Sequence, residues 1–260
     1  MNETGGEYEE AHFIGMEIIW GKGFMSPGGA AEVASVVDGV DVKGKRILEI
    51  GSGLGGTAIA LADDQQAGRV VAIDIQREQI EWAKKLAEDR GVADRIEFRL
   101  VDPGPFPFED ASFDIVFSMG TIVQIPNKRE VLSEALRVLR PGGNLAGNDW
   151  LRGWTGPLSK EMVEQGEKAG LTYHWVTQEE FRETLTEVGF EDVVIRDRGA
   201  WMVDQLRNDL EALEFGAIRD QIVEAFGEGA NNWSNSWKRS LLMAERGELV
   251  VAQFRASRPS

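Results

Sequence analysis

Residues 46–56 read Arg46-Ile47-Leu48-Glu49-Ile50-Gly51-Ser52-Gly53-Leu54-Gly55-Gly56. A short apolar run that ends in a glycine-rich turn has the pattern of a buried strand. Glycines there let the backbone turn tightly and approach a ligand closely. The next stretch, 56–62 (GTAIALA), reads as a helix. Gly51, Gly53 and Gly56 also satisfy G-x-G-x-x-G, a spacing shared by nicotinamide and flavin enzymes, so the loop alone leaves the ligand open.

Outward from this loop the same alternation repeats. Residues 69–73 (RVVAI) form a second strand ending at Asp74, and 76–90 a helix with Ile80, Ala83 and Ala87 on one face, stopped by Gly91. Residues 95–101 and 113–118 (FDIVFS) are the third and fourth strands. A helix over 128–140 is stopped by Pro141-Gly142-Gly143, which feeds a fifth strand toward Asp149. Strands alternating with helices across short turns give a parallel sheet covered on both faces, with the ligand site beyond the C-terminal strand ends. After Trp150 the pattern loosens: a helix near 160–168, a helix over 178–188, a strand over 190–197, helical material to about Arg246, and a terminal strand over 248–256. No repeat or low-complexity tract interrupts the chain.

The 260 residues are enough for one sizeable domain. The 44 acidic and 28 basic residues give a formal net charge of −16, which repels phosphate and disfavours a nucleic-acid or anionic-membrane partner. There is no cysteine, and two histidines, His12 and His174, cannot make a three-histidine metal site. No apolar run is long enough to span a membrane, and the acidic N-terminus is unlike a targeting peptide, so the chain reads as cytoplasmic with no metal required.

Three acids narrow the ligand. Glu49 lies inside the first strand, where it could bond a cationic amino group. Asp74 ends the second strand, where a carboxylate takes both hydroxyls of a ribose. Asp102 ends the third, within reach of an adenine amino group. Acids at three successive strand ends suit a ligand with an ammonium, a free ribose and an adenine but no phosphate, a description that S-adenosylmethionine meets and a dinucleotide does not. Asp74 alone fits a dinucleotide enzyme equally, and Asp102 equally starts the turn Asp102-Pro103-Gly104.

The motifs Ile47-Leu48-Glu49-Ile50-Gly51-Ser52-Gly53, Ala72-Ile73-Asp74-Ile75, Phe113-Asp114-Ile115-Val116-Phe117-Ser118 and Leu139-Arg140-Pro141-Gly142-Gly143 resemble those of class I S-adenosylmethionine-dependent methyltransferases. The resemblance implies an α/β Rossmann-like sheet of seven strands in the order 3-2-1-4-5-7-6, strand seven antiparallel, flanked by helices. It implies one methyltransferase domain over 1–260, with an N-terminal lid at 1–25 and a helical cap at 151–189. Trp20 to Gly29, Asn148-Asp149-Trp150 and the tail from Trp233 to Arg258 are similar to phosphoethanolamine N-methyltransferases in particular. In that family a lid tyrosine and a histidine after strand four form a catalytic latch; Tyr8 falls on the tyrosine and Gln124 on the histidine. The cofactor contacts implied are Ser26, Glu49, Gly51, Ser52, Gly53, Asp74, Ile75, Asp102, Pro103, Ser118 and Met119.

The chain departs from that family at Met119-Gly120, where the family has Arg-Asp; at Leu171, where it has arginine; and at Ser236, where it has a phosphate-binding lysine. The loss of both cations argues against a phosphorylated acceptor. Met16, Gly120, Trp150 and Tyr173 are the expected acceptor contacts, with Trp150 offering a ring face to a methylated cation or an aromatic substrate. Tyr8, His12 and Met16 recur at i, i+4 and i+8, one helix face. Gln124 cannot accept a proton as histidine does, which leaves Tyr8, His12, water or no group at all for that role, and His174 in the cap as a further candidate base. The expected reaction is methyl transfer to a small non-phosphorylated molecule at an amine nitrogen. A thiol or phenol acceptor, a nicotinamide oxidoreductase and a cofactor-binding non-enzyme are the alternatives, and the oligomeric state is not legible.

Overall fold

The computed structural model describes residues 10–260, so Tyr8 lies outside the described residues. In chain order the elements are α1 (Glu10–Trp20), α2 (Gly29–Val37), β1 (Arg46–Ile50), α3 (Gly56–Ala62), β2 (Arg69–Asp74), α4 (Arg77–Asp89), β3 (Ile96–Leu100), β4 (Phe113–Met119), α5 (Lys128–Val138), β5 (Leu139–Arg152), α6 (Lys160–Ala169), α7 (Gln178–Val188), β6 (Glu191–Asp197), α8 (Gly199–Glu214), α9 (Ala217–Phe226), α10 (Ala230–Glu245) and β7 (Leu249–Ser257). One sheet carries all seven strands in the order β3-β2-β1-β4-β5-β7-β6. β7 runs antiparallel to both neighbours and the remaining pairs are parallel, as the resemblance implies.

β1 sits mid-sheet, and four of its five residues are buried. Ile47 packs with α2 and α3 on one face, while Leu48 and Ile50 join α5 and α7 on the other. Burying each such side chain stabilises the fold by about 1.5–3 kcal/mol. The strand therefore brings the glycine loop to a fixed place at the sheet's C-terminal edge.

The fifth strand and the cap segment differ from the sequence reading, while the helical stretch to about Arg246 agrees with it. Pro141-Gly142-Gly143 does not precede the fifth strand; it lies within β5, which starts at Leu139 directly after α5. The pairing jumps from Phe113↔Leu139 to Ile115↔Asn144, so the extra residues bulge out and Pro141 is spared a ladder bond. The region 199–245 is three helices, and α8 and α10 pack against each other. The expected cap at 151–189 divides. α6 packs on α10, whereas Phe181 and Leu185 of α7 enter the core with Phe254, making α7 a flanking helix of the sheet. An amphipathic helix shows which face it buries but not what it buries it against.

α1 lies across the cap, packed on α8 and α9. Its base is fixed by Glu17, buried, which accepts from Gly23 N–H at 2.9 Å and Trp82 Nε1 at 3.1 Å and pairs with Lys22 at 2.7 Å. Asp209 of α8 accepts from the indoles of Trp20 at 2.8 Å and Trp237 at 3.3 Å, tying α1 and α10 to α8. Burial raises its pKa, and those hydrogen bonds oppose the rise.

Candidate functional site

Two adjoining cavities lie beyond the C-terminal strand ends. The larger, about 700 Å³, is lined by the glycine loop, Asp74, Ile75, Asp102, Pro103, Phe106 and Thr121. The smaller, about 530 Å³, lies among α1, α6 and α10. Met25, Ser26, Gly120 and Gln124 line both, forming a threshold between them. Each volume suits a small ligand.

The glycine loop is shaped by close approach. Gly51 has φ +78°, and a Cβ there would fall on the Thr121 side chain. Asp74 fixes the far side: Oδ2 accepts from Gly53 N–H at 2.9 Å and Oδ1 from Gln76 N–H at 3.0 Å. Burial raises the Asp74 pKa, while the backbone N–H groups hold it down. Ser52 Oγ is buried without a hydrogen-bond partner among the described residues, although Ser52 lines the larger cavity. An orphaned hydroxyl there fits a ligand group that completes it. Among the described residues, Asp74, Asp102, Glu130 and Glu134 line this cavity with one cation, Arg129; Arg129 pairs with Glu187 and Glu134 with Arg137. A pyrophosphate would meet repulsion there, and a cation would not.

Gln124 stands on a 3-10 turn over Ile122–Gln124 after β4. Buried Asp149 accepts from Val123 N–H at 3.1 Å and Trp150 N–H at 2.7 Å. Lys128 Nζ donates to the carbonyls of Val123 at 3.3 Å and Ile125 at 2.6 Å. Burial pushes Asp149 up and Lys128 down, each partly opposed by the other's charge. This buried pair sets where the threshold glutamine stands.

Most expected site residues reach a cavity. Gly51, Ser52, Gly53, Asp74, Ile75, Asp102, Pro103 and Met119 line the larger one; His12, Met16, Trp150 and Tyr173 line the smaller; Ser26, Gly120 and Gln124 line both. Two expected cofactor contacts do not. Ser118 is sealed between strands, its hydroxyl donating to Ile50 O at 3.2 Å. Glu49 is 1 % exposed and faces α3, with Thr57 bonded to it and one oxygen unpartnered. Burial, then the nearby Asp74 charge, raises its pKa well above the carboxylate range. Side-chain alternation puts Glu49 on the face of Ile47, behind the cavity wall. His174 lines neither cavity; its backbone N–H donates to Val123 O at 2.8 Å, and burial and Lys128 lower its pKa.

The sequence reading missed Met25, Thr121 and the polar side chains of α10. Lys168 and Arg239 also line the smaller cavity. The case against a phosphorylated acceptor rested on two missing cations, at Leu171 and Ser236, so that ground is lost: the fold supplies two others from neighbouring turns.

Burial lowers the His12 pKa to about 4, and its ring lies 5.6 Å from that of Trp233. The imidazole is therefore neutral near pH 7, able to accept a hydrogen bond but a weak base.

The sheet order with an antiparallel last strand, the glycine loop after β1 and the acids at the next two strand ends define the class I S-adenosylmethionine-dependent methyltransferases. Within that class the chain belongs to the methyltransferase domain family, whose model matches residues 41–189. It is 28% identical over 254 residues to phosphoethanolamine N-methyltransferase 3 of Arabidopsis thaliana, spanning 97% of this chain and 50% of the relative. A 27-O-demethylrifamycin SV methyltransferase of Amycolatopsis mediterranei is 40% identical over 108 residues, 42% of this chain and 39% of that one. Among solved structures, Haemonchus contortus phosphoethanolamine N-methyltransferase 2 in complex with phosphomonomethylethanolamine and S-adenosylhomocysteine superposes with a TM-score of 0.87 at 25% identity, covering 97% of this chain and 59% of that one. The chain thus spans about half the length of the curated phosphoethanolamine methyltransferases it matches.

Proposed function

We propose that this chain binds S-adenosylmethionine in the larger cavity and directs its methyl group to a small molecule held in the smaller one. The observation that carries this is the shared threshold of Met25, Ser26, Gly120 and Gln124 between an acid-lined cavity and an aromatic-walled one. Asp74 would take the ribose hydroxyls with lone pairs its backbone bonds leave over, Asp102 and Pro103 would face the adenine, and Ser52 Oγ would gain its missing partner. When bound, the cofactor supplies an electrophilic methyl on a sulfonium.

The chain's own part is to orient the acceptor and exclude bulk water. Trp20, Trp150, Trp233 and Trp237 wall the acceptor cavity and keep water out. Gln124 at the threshold is a hydrogen-bonding group without a base's function. Neutral His12, on the α1 face that lines the cavity, accepts a hydrogen bond from the acceptor on this reading, with Tyr8, four residues earlier in the sequence, as the closing residue of the lid. Met16 packs beside them, and Tyr173 faces them from the cap.

The relatives named as phosphoethanolamine N-methyltransferases support an amine nitrogen as acceptor. The relative named for a 27-O-demethylrifamycin supports an oxygen acceptor as the second reading. Release of S-adenosylhomocysteine against a panel of amines, thiols and phenols tests both. Turnover with amines alone supports nitrogen, turnover with phenols supports oxygen, and no turnover with any class defeats the proposal.

A further inference from the structure

The segment between β3 and β4 reads Asp102-Pro103-Gly104-Pro105-Phe106-Pro107-Phe108-Glu109-Asp110. Its first half, Asp102 to Phe106, lines the larger cavity, and so does Glu134 of α5. We infer that Glu134 and Arg137 of α5 are positioning residues for the cofactor: they pin this loop so that Phe106 closes the nucleoside end of the larger cavity. This inference rests on the reading of that cavity as the cofactor site.

The pin consists of two side chains one helical turn apart. Glu134 Oε2 accepts from Phe106 N–H at 2.7 Å, and Arg137 Nη2 donates to Phe106 O at 3.1 Å, so both backbone groups of Phe106 are held. Arg137 Nη1 donates to Phe108 O at 2.8 Å and to Asp110 Oδ1 at 2.7 Å. Arg137 also grips Glu134 in a fork, Nε to Oε1 at 2.8 Å and Nη2 to Oε2 at 2.7 Å. Its carbonyl accepts from Ala111 N–H at 3.0 Å, where the chain takes a φ of +53° that residues with a side chain seldom adopt. The Arg137 guanidinium holds the Glu134 carboxyl below the usual carboxylate range, so the pair stays charged near pH 7.

The loop so held is stiff. Pro103, Pro105 and Pro107 each lock φ and restrict the residue before them to extended backbone. Gly104, with φ +137°, is the joint between the first two. β3 fixes the chain on one side of that joint, and the Glu134–Arg137 pair fixes it on the other. Phe108 is the anchor of the far side: its ring meets Phe113 edge-on at 5.1 Å and lies under the Arg99 guanidinium at 4.9 Å. Asp102 to Pro105 are exposed, so the wall they form has no burial of its own to hold it. Phe106, partly buried and lining the cavity, is the aromatic group the loop offers to a base. A side chain held in place beforehand contributes its contact without a further ordering cost.

The test is read on S-adenosylhomocysteine, which requires no methyl acceptor. By calorimetry, Glu134→Ala and Phe106→Ala should each weaken its binding roughly tenfold, the scale of one aromatic contact with a base. The double variant should be little weaker than either single one, because both remove the same contact. Glu134→Gln, which keeps an oxygen for Phe106 N–H, should recover part of the affinity. Where Glu134→Ala does not fold, Arg137→Lys, which keeps the charge and loses the fork, takes its place. Chymotrypsin reports the pin without ligand: cleavage after Phe108 should be faster in Glu134→Ala than in wild type. Full affinity in a folded Glu134→Ala protein, losses that multiply in the double variant, or equal cleavage overturns the inference. Failure of the wild-type protein to take S-adenosylhomocysteine defeats the methyl-transfer reading instead, and the cleavage rates still decide whether Glu134 pins the loop.

Discussion

The Asp74 carboxylate holds the glycine loop and the start of α4 together through Gly53 N–H and Gln76 N–H, and Asp74 lines the larger cavity. Asp74→Ala is expected to weaken S-adenosylhomocysteine binding by about 1–3 kcal/mol, the worth of charge-assisted hydrogen bonds to a ribose. Calorimetry with unchanged affinity would reject the ribose role. His12 makes a prediction about pH. Its folded pKa is lowered from 6.5 to about 4, so between those values the unfolded chain binds a proton that the folded one does not. Its contribution to stability is therefore intact above pH 6.5 and is lost as pH falls toward 4. Denaturant midpoints should show wild type losing stability relative to His12→Gln across that window; parallel curves would mean an ordinary histidine. At this scale Asp74 and Asp102 were legible because strand ends follow from the apolar pattern. Glu49 does not line the larger cavity because alternation assigns it a face but not what covers that face. Arg239 was invisible because a polar helix stripe reads as solvent-facing until a second helix is laid over it.

The meeting of α1 with α10 shows how an element depends on one missing side chain. A Cβ at Gly15 would fall within the ring of Trp233, and the same indole lies 5.3 Å from Phe226 and 5.9 Å from Trp237. Gly15→Ala should push α1 off α10 at about 1–3 kcal/mol, the usual penalty of overpacking. Because Trp233 walls the acceptor cavity and not the cofactor cavity, acceptor KM should rise more than S-adenosylhomocysteine affinity falls. Adding Trp233→Leu should recover part of the lost stability, a coupling that urea midpoints of the four proteins would measure. If the two substitutions simply add, the steric account is wrong. Elements with both a period and a stop were read nearly to the residue: α7 ends at Gly189 in the left-handed conformation and opens on a Thr177–Glu180 capping box. What it packs on was not legible: α7 buries Phe181 and Leu185 in the core with Phe254, while residues of α10 line the smaller cavity.

The molecule as a whole carries a net charge of −16 but does not distribute it evenly. Acids gather at the cofactor cavity, where the expected ligand is a sulfonium, and are absent from the described lining of the acceptor cavity. The fold class was legible at this scale because strands alternating with helices give a sheet covered on both faces; the strand order with its antiparallel last strand was legible only through the resemblance of the strand-end motifs to the methyltransferases. The lining of the acceptor cavity was not legible, because it draws on α6 and α10, which are far apart in sequence. The acid-lined cavity leads to a test of the whole chain. A ligand bound only by the folded state stabilises it by about 2.7 kcal/mol at a hundred times its Kd. For a domain of this size that raises Tm by about 5–10 °C. S-adenosylhomocysteine should produce such a shift and NADH none, since its pyrophosphate would face Asp74, Asp102, Glu130 and Glu134 and, among the described lining residues, one arginine already paired with Glu187. A shift with NADH and none with S-adenosylhomocysteine would mean that the glycine loop cradles a pyrophosphate and that the acids at the strand ends do not select the ligand.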